Sequence, residues 1–246
     1  MILYDMPDQQ IFLEMYREKE KVDFAVEKHW NKILRLKVTN ATRFPHLQYE
    51  EYTVPATKNR YLIWHYGMPE GNGTVNWNIG ATLLLNDDKG RIQTITLTKD
   101  GGTRQDYSGK TKLYHHWNLC FYTGHFYSRY RERMHHETKM QPLDVIVTWL
   151  GRNYGYYKQI KPSDIIRLPE RYINANAIQM TDGIILGSVS RFDTDDGLYC
   201  EVNRQKTFLP LSMLKNEQHN ATESERTFRF LNNMYDNGIT PEKIFR

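Results

Sequence analysis

The sequence predicts an α+β fold, in which antiparallel strands pack against helices. Three observations lead there. A long stretch near the N-terminus repeats its apolar residues at helical spacing. The middle and later parts hold short β-branched and aromatic runs separated by Asn, Asp and Gly turns. Between these runs sit two further helical patterns, at Gly124–His136 and Leu143–Leu150.

The first helix is expected from about Asp8 to Val38, begun by Pro7 and Asp8 and carrying the stripe Ile11, Met15, Val22, Val26, Trp30 and Ile33. Charged residues such as Glu18, Lys19, Glu20 and Lys21 fill the spaces between them. Residues 1–45 are read as an N-terminal helical extension and 46–246 as the α+β domain. The stripe must be covered, either by the chain's own core or by a partner or second copy.

Asn40 to Asn59, with Pro45 and Pro55, reads as a polar loop. Strands are expected at Arg60–Tyr66, Thr74–Leu85 and Arg91–Thr98, the last two joined by a turn in which Gly90 takes a left-handed conformation. Asp100–Lys112 reads as a Gly-rich polar loop. Leu113–Tyr122 is a strand candidate and Gly124–His136 a helix. Pro142 opens a second short helix, Leu143–Leu150, stopped by Gly151. Ala177–Met180, Ile184–Ser190, Leu198–Asn203 and Thr207–Leu211 form an expected meander of strands. A C-terminal helix starts at Thr222, with Glu225 completing a capping box, and buries Phe228, Leu231, Met234 and Tyr235.

Composition narrows the function classes. The 246 residues carry a net charge of +4, which permits an anionic partner without requiring one. No run approaches the ~18 apolar residues of a membrane span, and the first residues lack the basic and apolar regions of a signal peptide. A cytoplasmic, reducing location follows, with Cys120 and Cys200 as unpaired thiols and the sequons at Asn40, Asn72 and Asn220 as chance matches. No cofactor is expected: the glycines match neither a P-loop nor a dinucleotide fingerprint. No metal is expected either. His115, His116, Cys120, His125 and the His135-His136-Glu137 run could be imagined around zinc, but they lack the spacing of known zinc motifs.

Five of the nine histidines fall between His115 and His136. On a helix starting at Gly124, with His125 at zero, Glu132 falls near −20°, His136 near 20°, Arg129 near 40° and Arg133 near 80°. All share one face, and Phe126, Tyr127, Tyr130 and Met134 take the other. An imidazole beside guanidiniums suits phosphate chemistry, because arginine binds phosphate bidentately and histidine moves protons near neutral pH. A solvated helix face is the alternative, although such a face usually contains lysine and this one has none. A second candidate is Arg152, Tyr154, Tyr156, Tyr157, Lys158 and Lys161, which could stack bases and meet phosphates, or simply line a surface loop.

The run from Tyr122 through His125 and Arg129 to Arg133 resembles the His-x3-Arg-x3-Arg helix of barnase/RelE-type (BECR) toxin-like, metal-independent ribonucleases. The likeness extends over Tyr122 to Leu211 and takes in the second short helix and the strand Lys206-Thr207-Phe208-Leu209. It implies RNA or nucleotide phosphodiester cleavage. His125 would then be the acid/base, Arg129 and Arg133 phosphate clamps, and Thr207 a polar group in the cleft. The competing expectation is a non-catalytic protein that binds nucleic acid or a phosphorylated ligand, in a mobile-element or host-defence setting. A third is an interaction protein working through the N-terminal helix.

Overall fold

The computed structural model describes residues 1–35, 42–69, 74–105, 111–136, 139–154, 157–166, 174–195 and 197–222, with the backbone alone described at 100–105 and 111–115. The architecture is α+β: helices lie on both faces of one nine-stranded, mostly antiparallel sheet. The strands are β1 (His46–Thr53), β2 (Arg60–Pro69), β3 (Val75–Asn86), β4 (Ile92–Gln105), β5 (Thr111–Tyr122), β6 (Lys158–Ile160), β7 (Ala175–Gln179), β8 (Gly183–Asp193) and β9 (Tyr199–Pro210). Their order in the sheet is β1-β2-β3-β4-β5-β9-β8-β7-β6. Each half is an antiparallel meander, and the halves join at the parallel pair β5 and β9. Among the described residues, no helix is long and apolar enough to cross a membrane.

Helix α1 (Asp8–Ile33) lies across one face. Its Ile11, Phe12, Met15 and Val22 share a core with Ile63, Leu83, Ile95, Leu119 and Val202. The segment set apart above as an N-terminal extension therefore supplies one wall of the core. Val26 packs at the edge of this cluster, and Trp30 is half-buried. The helix was expected to reach Val38; it ends at Ile33, with Leu34 as its cap, and 36–41 lie outside the described residues.

Helices α2 (Gly124–Met134) and α3 (Pro142–Arg152) cover the opposite face. The alternation along β2 makes this possible: Tyr61 and Ile63 point to α1, while Leu62, Trp64 and Tyr66 point to α2 and α3. Phe126, Tyr130, Trp149 and Phe208 fill the space with edge-to-face rings whose centroids lie 4.9 to 6.4 Å apart, the geometry that aromatic quadrupoles favour. A one-turn helix α4 (Pro162–Ile165) closes a smaller cluster of Ile160, Ile165, Ala177, Ile184, Leu186 and Leu214.

Four sequence expectations are corrected. The supposed loop 40–59 contains β1, an edge strand whose residues are mostly half-exposed, so it has no clean apolar alternation to read. Residues 100–112 were expected as a loop, but β4 runs on to Gln105 and β5 begins at Thr111, and 106–110 lie outside the described residues. Gly101 pairs with His115 and Thr103 with Leu113, because a partner strand supplies the backbone bonds that local propensity disfavours. Gly151 does not stop α3. It lies within the helix, where a Cβ would overlap the Tyr66 side chain, so its role is close approach of helix to sheet. The two strands expected at 198–203 and 207–211 are one, β9. A bulge at Lys206 separates the pairs Gly187–Gln205 and Leu186–Thr207. The extra residue reverses the alternation, so Val202 faces α1 and Phe208 faces α2 and α3. A 3-10 turn (Leu211–Met213) and the one-turn helix α5 (Asn216–His219) follow. The helix expected from Thr222 lies outside the described residues apart from its first position.

Candidate functional site

Helix α2 begins where Thr123 caps it, its hydroxyl accepting from the Phe126 N–H. From there the sequence divides the helix cleanly. Phe126, Tyr127 and Tyr130 are buried. His125 and Glu132 are exposed, and Arg129 and Arg133 partly so. His125, Arg129 and Arg133 thus lie on one side of one helix. Their guanidiniums have different duties. Arg129 Nη1 donates to Glu132 at 2.7 Å in a surface ion pair. Arg133 Nη1 donates to the Phe208 carbonyl on β9, tying the helix to the strand beside Thr207, which is half-buried. His125 stands one turn from Arg129 and two turns from Arg133, about 6 and 12 Å along the axis. One phosphate can therefore be shared by His125 and Arg129, whereas Arg133 serves as a fastener.

The second predicted group separates. Tyr154 and Tyr157 are exposed, Lys158 lies in β6, and Lys161 caps α4 at the surface; Tyr156 lies outside the described residues. Arg152 faces inward. Its Nε donates to both carboxylate oxygens of Asp182, at 2.9 and 3.0 Å, and Nη2 donates to Oδ1 at 2.5 Å. Asp182, 1% exposed, also accepts from the Tyr130 hydroxyl at 2.6 Å and from Asn153 Nδ2 at 3.0 Å. The hydrogen bonds to Asp182 raise the Arg152 pKa still further above its ordinary value, and burial pushes the Tyr130 phenol well up. His135 stacks edge-on to Tyr130 at 5.4 Å, its pKa lowered by burial and by the Arg152 charge. This cluster joins the end of α2, the end of α3 and the turn before β8. The carboxylate's acceptor positions are filled from inside the protein, so it acts as a brace.

Sequence reasoning missed two polar groups on α1, both on the apolar stripe. Glu18 accepts from the Tyr61 hydroxyl at 2.8 Å, from Asn59 Nδ2 at 2.9 Å and from the Thr57 hydroxyl. His29 is hydrogen-bonded at both nitrogens: Nδ1 lies 3.1 Å from Glu50 Oε1 and Nε2 lies 3.0 Å from His65 Nδ1. His65 Nε2 in turn lies 3.2 Å from His46 Nδ1. The signal was available, since residues 11, 15, 18, 22, 29 and 33 repeat at helical spacing and two of those positions are polar.

A third missed feature is a row of amides. Asn118, Asn203 and Asn176 alternate with core residues along β5, β9 and β7. Asn203 donates to Asn118 at 2.9 Å, Asn176 donates to Asn203 at 2.8 Å, and Gln159 donates to Asn176. Asn176 pairs with Gly187 of β8, where an added Cβ would overlap the Arg204 carbonyl and the Gln205 side chain of β9.

The imagined zinc cluster is dispersed: His116 is on β5, His125 opens α2, and His135 packs on Tyr130, while the His115 side chain and Glu137 lie outside the described residues. Among the described residues, no group of three or more His, Cys, Asp or Glu is placed to hold a metal ion. Cys200 is buried, and burial pushes its thiol up to about 12, the mark of an inert rather than reactive cysteine. Comparison with protein-family models, with curated proteins and with solved structures returns no match for this chain.

Proposed function

We propose that the protein binds a phosphate-bearing polymer, RNA being the class first suggested by the helix motif, along the outer face of α2. One observation carries this reading: His125 and Arg129 stand one turn apart on the solvent side of a helix whose other side is anchored in an aromatic core. The helix carries three arginines against one glutamate. Among the described residues Arg129 is engaged by Glu132, a surface pair of the kind worth about 0–1 kcal/mol. An incoming phosphate offers the same guanidinium a charge-assisted, bidentate partner. Metal-independent cleavage is the stronger form of the proposal, with His125 moving the proton of a 2′-hydroxyl. It has one clamp fewer than the motif implies, because Arg133 is bonded to the Phe208 carbonyl.

The test is titration of fluorescently labelled single-stranded and hairpin RNAs into the protein, with cleavage followed on gels in excess chelator. Arg129→Ala should weaken binding and reduce the salt dependence by about one phosphate contact. His125→Gln should leave binding nearly intact and abolish any cleavage, by about 10²-fold or more if it is the acid/base. RNA affinity that Arg129→Ala leaves unchanged at every salt concentration would sink the proposal.

A further inference from the structure

The core beneath the end of α1 contains a chain of three imidazoles. It runs from Glu50 on β1, through His29 on α1 and His65 on β2, back to His46 on β1, with successive nitrogen–oxygen and nitrogen–nitrogen distances of 3.1, 3.0 and 3.2 Å. His29 is 3% exposed and His65 0%. The rings of His46 and His65 stack at 5.3 Å with only 17° between their planes. Trp77 on β3 meets both edge-on, at 5.6 and 5.5 Å. Lys32, one turn after His29, donates to both oxygens of Glu50 at 2.9 and 2.6 Å, and that bond is the main cause holding the Glu50 carboxyl below its ordinary range. Among the described residues, the groups facing the chain are thus Glu50 and His46 from β1, Lys32 from α1 and neutral Trp77 from β3.

The proton count of such a chain is constrained. With all three rings neutral, each Nδ1–H can donate toward Glu50, and every junction holds one proton. One added proton is accommodated at the His46 end: the bonds persist, and the charge can be passed along the chain to the anionic Glu50. A second added proton has no such place. It puts two N–H groups face to face at a junction only about 3 Å wide, beside the buried rings of His29 and His65. The repulsion falls between α1 on one side and β1 and β2 on the other, because His29 belongs to the helix and its partners to the sheet.

We propose that this chain is a pH-sensitive latch that holds the C-terminal half of α1 on the sheet near neutral pH and releases it when a second proton enters. The first half of the helix is fastened independently, by Ile11, Phe12 and Met15 in the core and by Glu18 on Tyr61 and Asn59. Release should therefore be local. It would uncover the sheet around His65 and free Lys32 from Glu50.

The experiment is backbone hydrogen exchange on the full chain between about pH 7.5 and pH 5, corrected for the intrinsic pH dependence of exchange, comparing residues 26–33 with residues 11–18. Protection of 26–33 should fall by ~10-fold or more on acidification while that of 11–18 holds. His65→Phe should remove the pH dependence. Glu50→Gln changes a partly exposed residue and so is expected to fold. It should move release to higher pH, because the carboxylate that balances the first proton is gone. Equal loss of protection along all of α1 would show ordinary global acid unfolding and overturn the latch. So would a 26–33 segment indifferent to pH, or a Glu50→Gln variant that releases at the wild-type pH.

Discussion

Replacing Asp182 by alanine tests whether the Arg152 cluster is a brace or a ligand site. The carboxylate is 1% exposed and accepts from Arg152, Tyr130 and Asn153. Its removal leaves a buried phenol, an amide and a guanidinium without their acceptor. Breaking a buried ion pair from one side typically costs about 3–5 kcal/mol. Arg152 retains 34% exposure and can partly rehydrate, so the lower end, about 3 kcal/mol, is expected. For a chain of this size that corresponds to a fall in Tm of roughly 6–12 °C. Chemical denaturation monitored by tryptophan fluorescence measures it, since Trp149 lies in the same aromatic core at 5.0 Å from Tyr130. Adding Arg152→Met to Asp182→Ala should recover about 1 kcal/mol or more, because the stranded charge is removed as well. The two single changes should shift stability and leave RNA affinity alone. An Asp182→Ala protein within about 0.5 kcal/mol of the parent, or effects that simply add, would refute the brace.

His65 is fully buried, and its pKa is lowered from 6.5 to about 4, first by burial and then by His29 and His46. The unfolded chain binds this proton more readily than the folded one. Stability from the group is therefore complete above pH 6.5 and is lost progressively as pH falls toward 4, by roughly 3 kcal/mol in all; urea titrations at stepped pH would read it. Gly151→Ala should destabilise by about 1–3 kcal/mol despite alanine's better helix propensity, because the new methyl overlaps Tyr66; thermal melts showing a gain would contradict the close approach of α3 to β2. Arg133→Ala should cost stability rather than ligand affinity, since it frees the Phe208 carbonyl, and parallel melts and RNA titrations would separate the two.

Local chemistry was enough to locate much of this protein. Helical spacing locates α2 and places His125 and Arg129 opposite Phe126 and Tyr130, because a helix face is a property of the sequence alone. The same holds for α3 after Pro142 and for the Gly90 turn, whose φ is +71°. What the sequence could not contain is what each polar side chain meets. Arg152 reads as a surface cation until Asp182, thirty positions later, takes its guanidinium. Arg133 reads as a phosphate clamp until β9 brings it a carbonyl. The strands at 100–105 and 111–115 exist because they have each other, not because their residues favour them. His29, His46 and His65 are scattered over 36 positions and become one chain only when α1 is laid across β1 and β2. Periodicity fixes which way a side chain points from its own element; only the packing of one element on another decides whether it finds water, a charge or a second ring there.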